Sequence, residues 1–272
     1  MTAAGHGLVF VAGLHRSGTT PLARVLSEHP QVSGFSGTGA TEDEGQHLQQ
    51  VYPPARVHGG SGKFAFSPAA HLTEQSPLAV PANAERLLQQ WSPYWDLGRP
   101  VLVEKSPANL LMTRFLQALF PQARFVVVVR HPVVVALSTR KWVRRTTLPR
   151  LVEHWLAAHE ILLADAPHVR ALHVLSYEHL VADPAGTLEG VRDFLGLDGD
   201  IPAGSVDARR SSRYEQEWAA LRTSRNPWHR RQVRRIETQL GDRVRRFGYD
   251  LDDLSAARGF PPAPASPPAA RS

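Results

Sequence analysis

The chain has 272 residues, 42% of them hydrophobic and 21% charged, with a formal charge of +6. This composition excludes a disordered or collagen-like polymer. The absence of cysteine excludes a disulfide framework, thiol catalysis and cysteine-held zinc or iron–sulfur sites. The positive balance makes an anionic ligand an early expectation.

Leu8–Ala12 is a short apolar run ended by Gly13, which predicts a buried strand. A glycine-bounded loop, 13–18, follows. Residues 19–28 then put Leu22, Val25 and Leu26 on one helical face before His29-Pro30 stops the helix. Residues 32–100 are too long for a plain connection. They hold the acidic stretch Thr41-Glu-Asp-Glu-Gly-Gln-His, expected to open a helix, then a Pro/Gly/His-rich loop and a second helix near Asn83–Trp91. We expect residues 36–100 to form a helical and loop cap over the acceptor.

Val101–Glu104 predicts a second strand, followed by Lys105-Ser106-Pro107 and a helix burying Leu110, Leu111, Phe115, Leu116 and Leu119. Phe125–Val129 is apolar without alternation, as in a parallel strand covered on both faces. Pro132 suits the first turn of the next helix. Residues 151–163 form an amphipathic helix and 171–175 a fourth strand. Asp183-Pro184 opens a helix that Gly196 ends. This alternation predicts one α/β domain over residues 1–254: three α/β/α layers around a parallel sheet, with an inserted cap. Ligands of such sheets bind at the carboxyl ends of the strands, so Gly13–Thr20, Lys105-Ser106 and Arg130 should converge.

The charge is concentrated late in the chain. Residues 209–246 contain twelve arginines and four carboxylates, so this segment carries more than the whole net charge. Without a recognition motif or aromatic platforms beside them, the arginines predict a solvated helix face and no nucleic-acid partner. Residues 255–272 hold five prolines and six alanines and predict a disordered tail. No apolar run approaches the roughly 20 residues of a membrane span, and Met1–Gly7 lacks a basic signal-peptide start. A cytoplasmic location is the expectation.

Gly13-Leu-His-Arg16-Ser17-Gly18-Thr19-Thr20 has the glycine spacing of a phosphate-binding loop, whose amides and following helix terminus make an anion site. Thr19 stands where a nucleoside triphosphatase has its lysine, and the cation is instead Arg16. A triphosphatase also needs an acidic magnesium ligand at a neighbouring strand end. Here the strand 125–129 runs into Arg130. The motif therefore predicts anion binding without a metal.

At these residues the chain resembles the sulfotransferase family, which moves a sulfuryl group from 3′-phosphoadenosine 5′-phosphosulfate (PAPS) to a hydroxyl or amine. The loop 13–20 is similar to the family's 5′-phosphosulfate loop, in the arginine-bearing form of bacterial and tyrosylprotein sulfotransferases. Glu104-Lys105-Ser106-Pro107 is similar to its lysine element. Residues 120–132, with Ser138 eight positions after Arg130, resemble the 3′-phosphate segment. Ser176-Tyr177-Glu-His-Leu, with the later Phe194-Leu-Gly-Leu, resembles a later strand–helix unit. The resemblance covers roughly residues 8–197 and implies a fold related to nucleotide kinases.

It also implies roles. Gly13, Arg16 and the amides of Ser17, Gly18, Thr19 and Thr20 would hold the 5′-phosphosulfate, and Lys105 would neutralise the leaving oxygen with Arg16. Arg130 and Ser138 would grip the 3′-phosphate, and Tyr177 would border the nucleotide. Arg209, Arg210 and Arg213 are candidates for a late basic loop.

The glutamate that tyrosylprotein sulfotransferases carry after His-Pro is absent here, since Gln31-Val-Ser-Gly-Phe follows Pro30. The general-base candidates are Glu44, then His47, then Glu42; a helix cap is the competing role for these acids. The spacing of His154/His159 and of His168/His173 fits solvated surface better than metal ligation. The six tryptophans are expected in core or cap packing. The acceptor is expected to be a small molecule, carbohydrate or lipid, and no motif encodes it or the oligomeric state. A phosphate-loop kinase and a non-catalytic nucleotide-binding protein are the alternatives.

Overall fold

The computed structural model describes residues 5–204 and 212–260. Its sheet is built on β1 (Gly7–Ala12), whose two faces are both apolar. Val9 and Val11 pack with Leu22, Val25 and Leu26 of α1 (Thr19–Ser27) on one side. Phe10 and Ala12 join Trp91, Phe115 and Trp155 on the other. A strand buried on both faces belongs in the middle of a parallel sheet. Accordingly β2 (Val32–Gly34), β3 (Val101–Lys105), β4 (Arg124–Val129) and β5 (Leu172–Ser176) pair with it in parallel, in the order β2-β3-β1-β4-β5. Helices cover both faces, giving the expected three layers. The three-residue β2 went unpredicted because Val-Ser-Gly has neither the length nor the apolar pattern of a strand.

Register decides what meets at the tips. Val11 pairs with Lys105, and Ala12 with Val127. The loop after β1, Lys105-Ser106 after β3 and Arg130 after β4 therefore leave the sheet along one edge.

Residues 35–100 contain a single α-helix, α2 (Pro81–Trp91), among short 3₁₀ turns. Trp91 and Trp95 fasten this excursion to the sheet. Both are buried, and their indole N–H groups donate to Gly45 O (3.0 Å) and Val103 O (2.9 Å). Burying an aromatic side chain of this kind stabilises by about 1.5–3 kcal/mol. The expected helix at Thr41 does not form. Instead there are two 3₁₀ turns, Thr41–Asp43 and Gly45–His47, separated by an extended Glu44. The cause is close approach: a Cβ on Gly45 would lie 2.4 Å from Glu104 Oε1.

α3 (Thr113–Leu119), α4 (Pro132–Arg140), α5 (Leu148–Asp165), α6 (Tyr177–Ala182) and α7 (Pro184–Leu195) complete the layers. α8 (Ser212–Arg222), α9 (Pro227–Arg235) and α10 (Gly241–Arg246) follow. From this late region Val233, Ile236, Leu240 and Val244 turn inward, while Arg222, Arg225, Arg230, Arg231, Arg234 and Arg235 face solvent as expected.

Three expectations need correction. His154 and His159 are buried, not solvated, and burial lowers them to about 3 and about 4, so both are neutral. Their rings pack against Phe64 and Trp155. Trp142 and Trp228 are exposed, whereas Trp91, Trp95, Trp155 and Trp218 are buried. Residues 255–260 also stay packed: Ala257 and Phe260 rest on the core, and Arg258 N–H donates to Gly248 O. Residues 261–272 lie outside the described range.

Candidate active site

Between β1 and α1 the chain turns sharply, and two glycines make the turn possible. Gly13 has φ +146°, and a Cβ there would lie 2.4 Å from Val128 O. Gly18 has φ +108°, and its Cβ would lie 2.4 Å from the Tyr177 ring. Arg16 is left-handed without being glycine, at φ 74°, a conformation costing about 1–2 kcal/mol. It is held at both ends. Its Nε donates to Ser138 Oγ (2.8 Å), and its carbonyl accepts from Arg130 (3.2 Å). The first amides of α1 have no intrahelical acceptor. Buried Ser17 Oγ has no hydrogen-bond partner among the described residues. A loop with unused donors and a wall of glycine fits an anionic group.

The loop opens on a cleft of about 570 Å³. It is lined by Arg16, Gly18, Thr19 and Thr20 of the loop and by Arg130, Tyr177 and Arg213. Arg130 is buried, its guanidinium 4.1 Å above the Tyr177 ring. Burial pushes its pKa below the usual arginine value. Trp155 Nε1 donates to the Arg130 carbonyl (2.9 Å), fixing the backbone from below. Ser138 does not line the cleft. Its hydroxyl accepts from Arg16 and from Tyr214 (3.0 Å), so its visible contact orients Arg16. Arg209 and Arg210 lie outside the described residues. Three lining residues, Pro21, Arg24 and Tyr214, escaped the sequence reading. Arg24 sits one turn after Thr20 and was legible from that spacing; Tyr214 is brought in from 76 residues beyond Ser138.

Lys105 ends β3 in a second, smaller cavity of about 170 Å³ that shares Thr20, Arg24 and Glu42 with the cleft. Its ammonium donates to Glu42 O (2.7 Å) and Glu44 Oε1 (3.4 Å). An ammonium has three donors, so one remains. Glu42 (φ 53°) and Asp43 (φ 51°) are both left-handed, and Glu42 accepts from Thr20 Oγ1 (3.3 Å). The base candidates separate here. Glu42 lies on the lip between the two cavities. Glu44 is buried behind Lys105, and the His47 ring lies 3.7 Å from the Glu44 carboxylate. Burial raises Glu44 above the usual carboxylate range, against the pull of Lys105 and of Gln46, whose amide donates to it.

A buried network supports this corner. Gln46 N–H donates to Ser106 Oγ (2.9 Å), and Ser106 and Asn109 donate to Glu104. Gln46 was not singled out from the sequence, because Ser106 reaches it from 60 residues away. Burial raises Glu104 to about 7. The folded state therefore keeps a proton that the unfolded chain releases from about pH 4.5, so Glu104 weakens stability as pH rises toward 7. The magnitude is on the order of 3 kcal/mol. The buried histidines titrate with the opposite sign, so the test is a difference. Urea unfolding should show Glu104→Gln gaining about that much relative to wild type between pH 4.5 and 7.

With the geometry in place, comparison is informative. The model of the sulfotransferase family matches residues 9–200. The chain belongs to that family. It is 24% identical over 200 residues to protein-tyrosine sulfotransferase 2 of Gallus gallus, covering 70% of this chain and 51% of that protein. This chain thus matches about half the length of that relative. It is 26% identical over 303 aligned positions to omega-hydroxy-beta-dihydromenaquinone-9 sulfotransferase Stf3 of Mycobacterium bovis, covering 92% of this chain and 77% of that protein. Among solved structures, the sulfotransferase domain from the Synechococcus PCC 7002 olefin synthase shares the fold. Its TM-score is 0.52 at 21% identity, with 92% of this chain and 98% of that one covered.

Proposed function

We propose that this chain transfers a sulfuryl group from PAPS to a hydroxyl acceptor, without a metal, by in-line displacement. The observation that carries the reading is Arg130. It follows β4 directly and lines the same cleft as the phosphate loop. An amide-rich loop plus a cation carried by a different strand suits a ligand with anionic groups at two places. A kinase would need an acidic magnesium ligand at the end of a neighbouring strand. The nearest strand-end acid, Glu104, is buried and bonded to Ser106 and Asn109.

In the proposed reaction the loop amides and Arg16 hold the 5′-phosphosulfate, and Arg130, with Tyr177 beneath it, holds the 3′-phosphate. The acceptor oxygen forms a bond to sulfur as the bond from sulfur to the 5′-phosphate oxygen breaks. Lys105 turns its remaining donor to that leaving oxygen. Glu42 takes the acceptor proton, because it is the carboxylate on the lip where both substrates meet. Glu44 holds Lys105 in place. The products are the sulfated acceptor and 3′-phosphoadenosine 5′-phosphate (PAP).

No helix among the described residues is long and apolar enough to cross a membrane; a cytoplasmic setting belongs to the proposal. The related Stf3 is named for a lipid-derived hydroxyl acceptor, which supports a lipid or other small acceptor here. The assignment of the base is tested by paired variants. Glu42→Gln should lower turnover by about 10²–10⁴-fold, the usual contribution of a general base, with PAP affinity unchanged. Glu44→Gln should lower it less. The reverse order returns the role to Glu44.

A further inference from the structure

We infer that the acceptor enters as a slender apolar group, no wider than one six-membered ring, with its hydroxyl at the tip. The inference rests on the sulfuryl-transfer reading and names the acceptor class of that same site.

The cavity that ends at Lys105 is where the acceptor must stand, because among the described residues it meets the donor cleft along Thr20, Arg24 and Glu42. Its inner wall is Ala23 of α1, Gly34 of β2, Phe35 and Val103 of β3. Ser27, Glu28 and Ser36 also line the cavity, but Ser27 spends its hydroxyl on Ala23 O (2.7 Å) and Glu28 and Ser36 are exposed, so the buried part offers a polyhydroxylated sugar few partners, and burying unpaired hydroxyls is costly. Asp43, which also lines the cavity, accepts Thr38 N–H and Oγ1–H on its Oδ1 (2.8 Å each).

The cavity is also held to its width. Phe35 stacks on buried Trp95 (4.9 Å between centroids, 26° between planes), and Trp95 is fixed by its bond to Val103 O. Beside Phe35, a Cβ on Gly34 would lie 2.1 Å from Ser27 Oγ, so α1 and β2 are already in contact. Close-packed walls of this kind do not spread at low cost. About 170 Å³ is close to the roughly 150 Å³ of a cavity that accepts benzene. One ring or a linear chain end fits; a hydroxyl flanked by fused rings does not reach Lys105.

The test uses the full chain with PAPS and four probes: 4-methylphenol, 1-octanol, methyl glucoside and 9-phenanthrol. Turnover is expected for the first two and not for the last two. Ala23→Leu, which fills the cavity from a helix position that tolerates leucine, should lower kcat/KM for 4-methylphenol at least tenfold. Phe35→Ala should admit 9-phenanthrol. Titration with PAP should give wild-type affinity for both variants. Turnover of 9-phenanthrol by wild type at the rate of 4-methylphenol overturns the inference, as does an unchanged kcat/KM in Ala23→Leu. Tight PAP binding with no turnover of either slender probe also overturns it while leaving the donor site standing. Failure to bind PAP overturns the sulfuryl-transfer reading itself.

Discussion

Lys105→Met is expected to slow sulfuryl transfer by roughly 10²–10³-fold, the loss seen when one preorganised donor to a developing anion is removed. PAP affinity should change little, because Lys105 lies in the smaller cavity and the donor is held by the loop and Arg130. The ammonium is buried and paired with Glu44. Removing one partner of a buried pair costs about 3–5 kcal/mol of stability, which a rate measurement alone would confuse with lost catalysis. The double variant Lys105→Met/Glu44→Gln removes both charges. Thermal unfolding should show its stability recovering toward wild type while its turnover stays low. A double variant that recovered turnover would mean that Lys105 is structural.

The second large effect is expected at Arg130. Arg130→Met keeps most of the side-chain volume over the Tyr177 ring and removes the guanidinium. A hydrogen bond to a charged group contributes about 1.5–3 kcal/mol, so PAP affinity should fall roughly 10- to 150-fold. Affinity for adenosine 5′-phosphate, which lacks the 3′ group, should stay within about threefold. That asymmetry is the signature of a 3′-phosphate contact. An equal loss for both nucleotides would mean that Arg130 only supports the loop through its bond to the Arg16 carbonyl.

The strand–loop–helix at Leu8–Glu28 and the apolar run before Arg130 were legible because their cause is local: apolar spacing, glycine position, proline stops. Their convergence followed from the general rule for parallel sheets. The corner around Glu42 was not legible. Residues 41–47 carry a helix-like acidic start, yet Gly45 is pressed onto Glu104 and bonded by Trp91, 46 residues away. Those contacts leave Glu42 and Asp43 left-handed and put Glu42 on the lip, which is why the proposal takes it ahead of Glu44 as the base. The spacing of Ser138 to Arg130 suggested a 3′-phosphate contact, whereas its visible partners, Arg16 and Tyr214, come from opposite ends of the domain. The same distance effect hid the burial of His154, which accepts from Ala65 N–H (3.2 Å).

Calorimetric titration of the wild-type chain with PAP and with adenosine 5′-phosphate, in metal-free buffer, tests the central claim most directly. PAP should bind with a dissociation constant in the micromolar range, on the order of 1–100 μM for a cosubstrate, and at least tenfold more tightly than adenosine 5′-phosphate. Equal affinities for the two nucleotides would contradict a site built to read both ends of the donor.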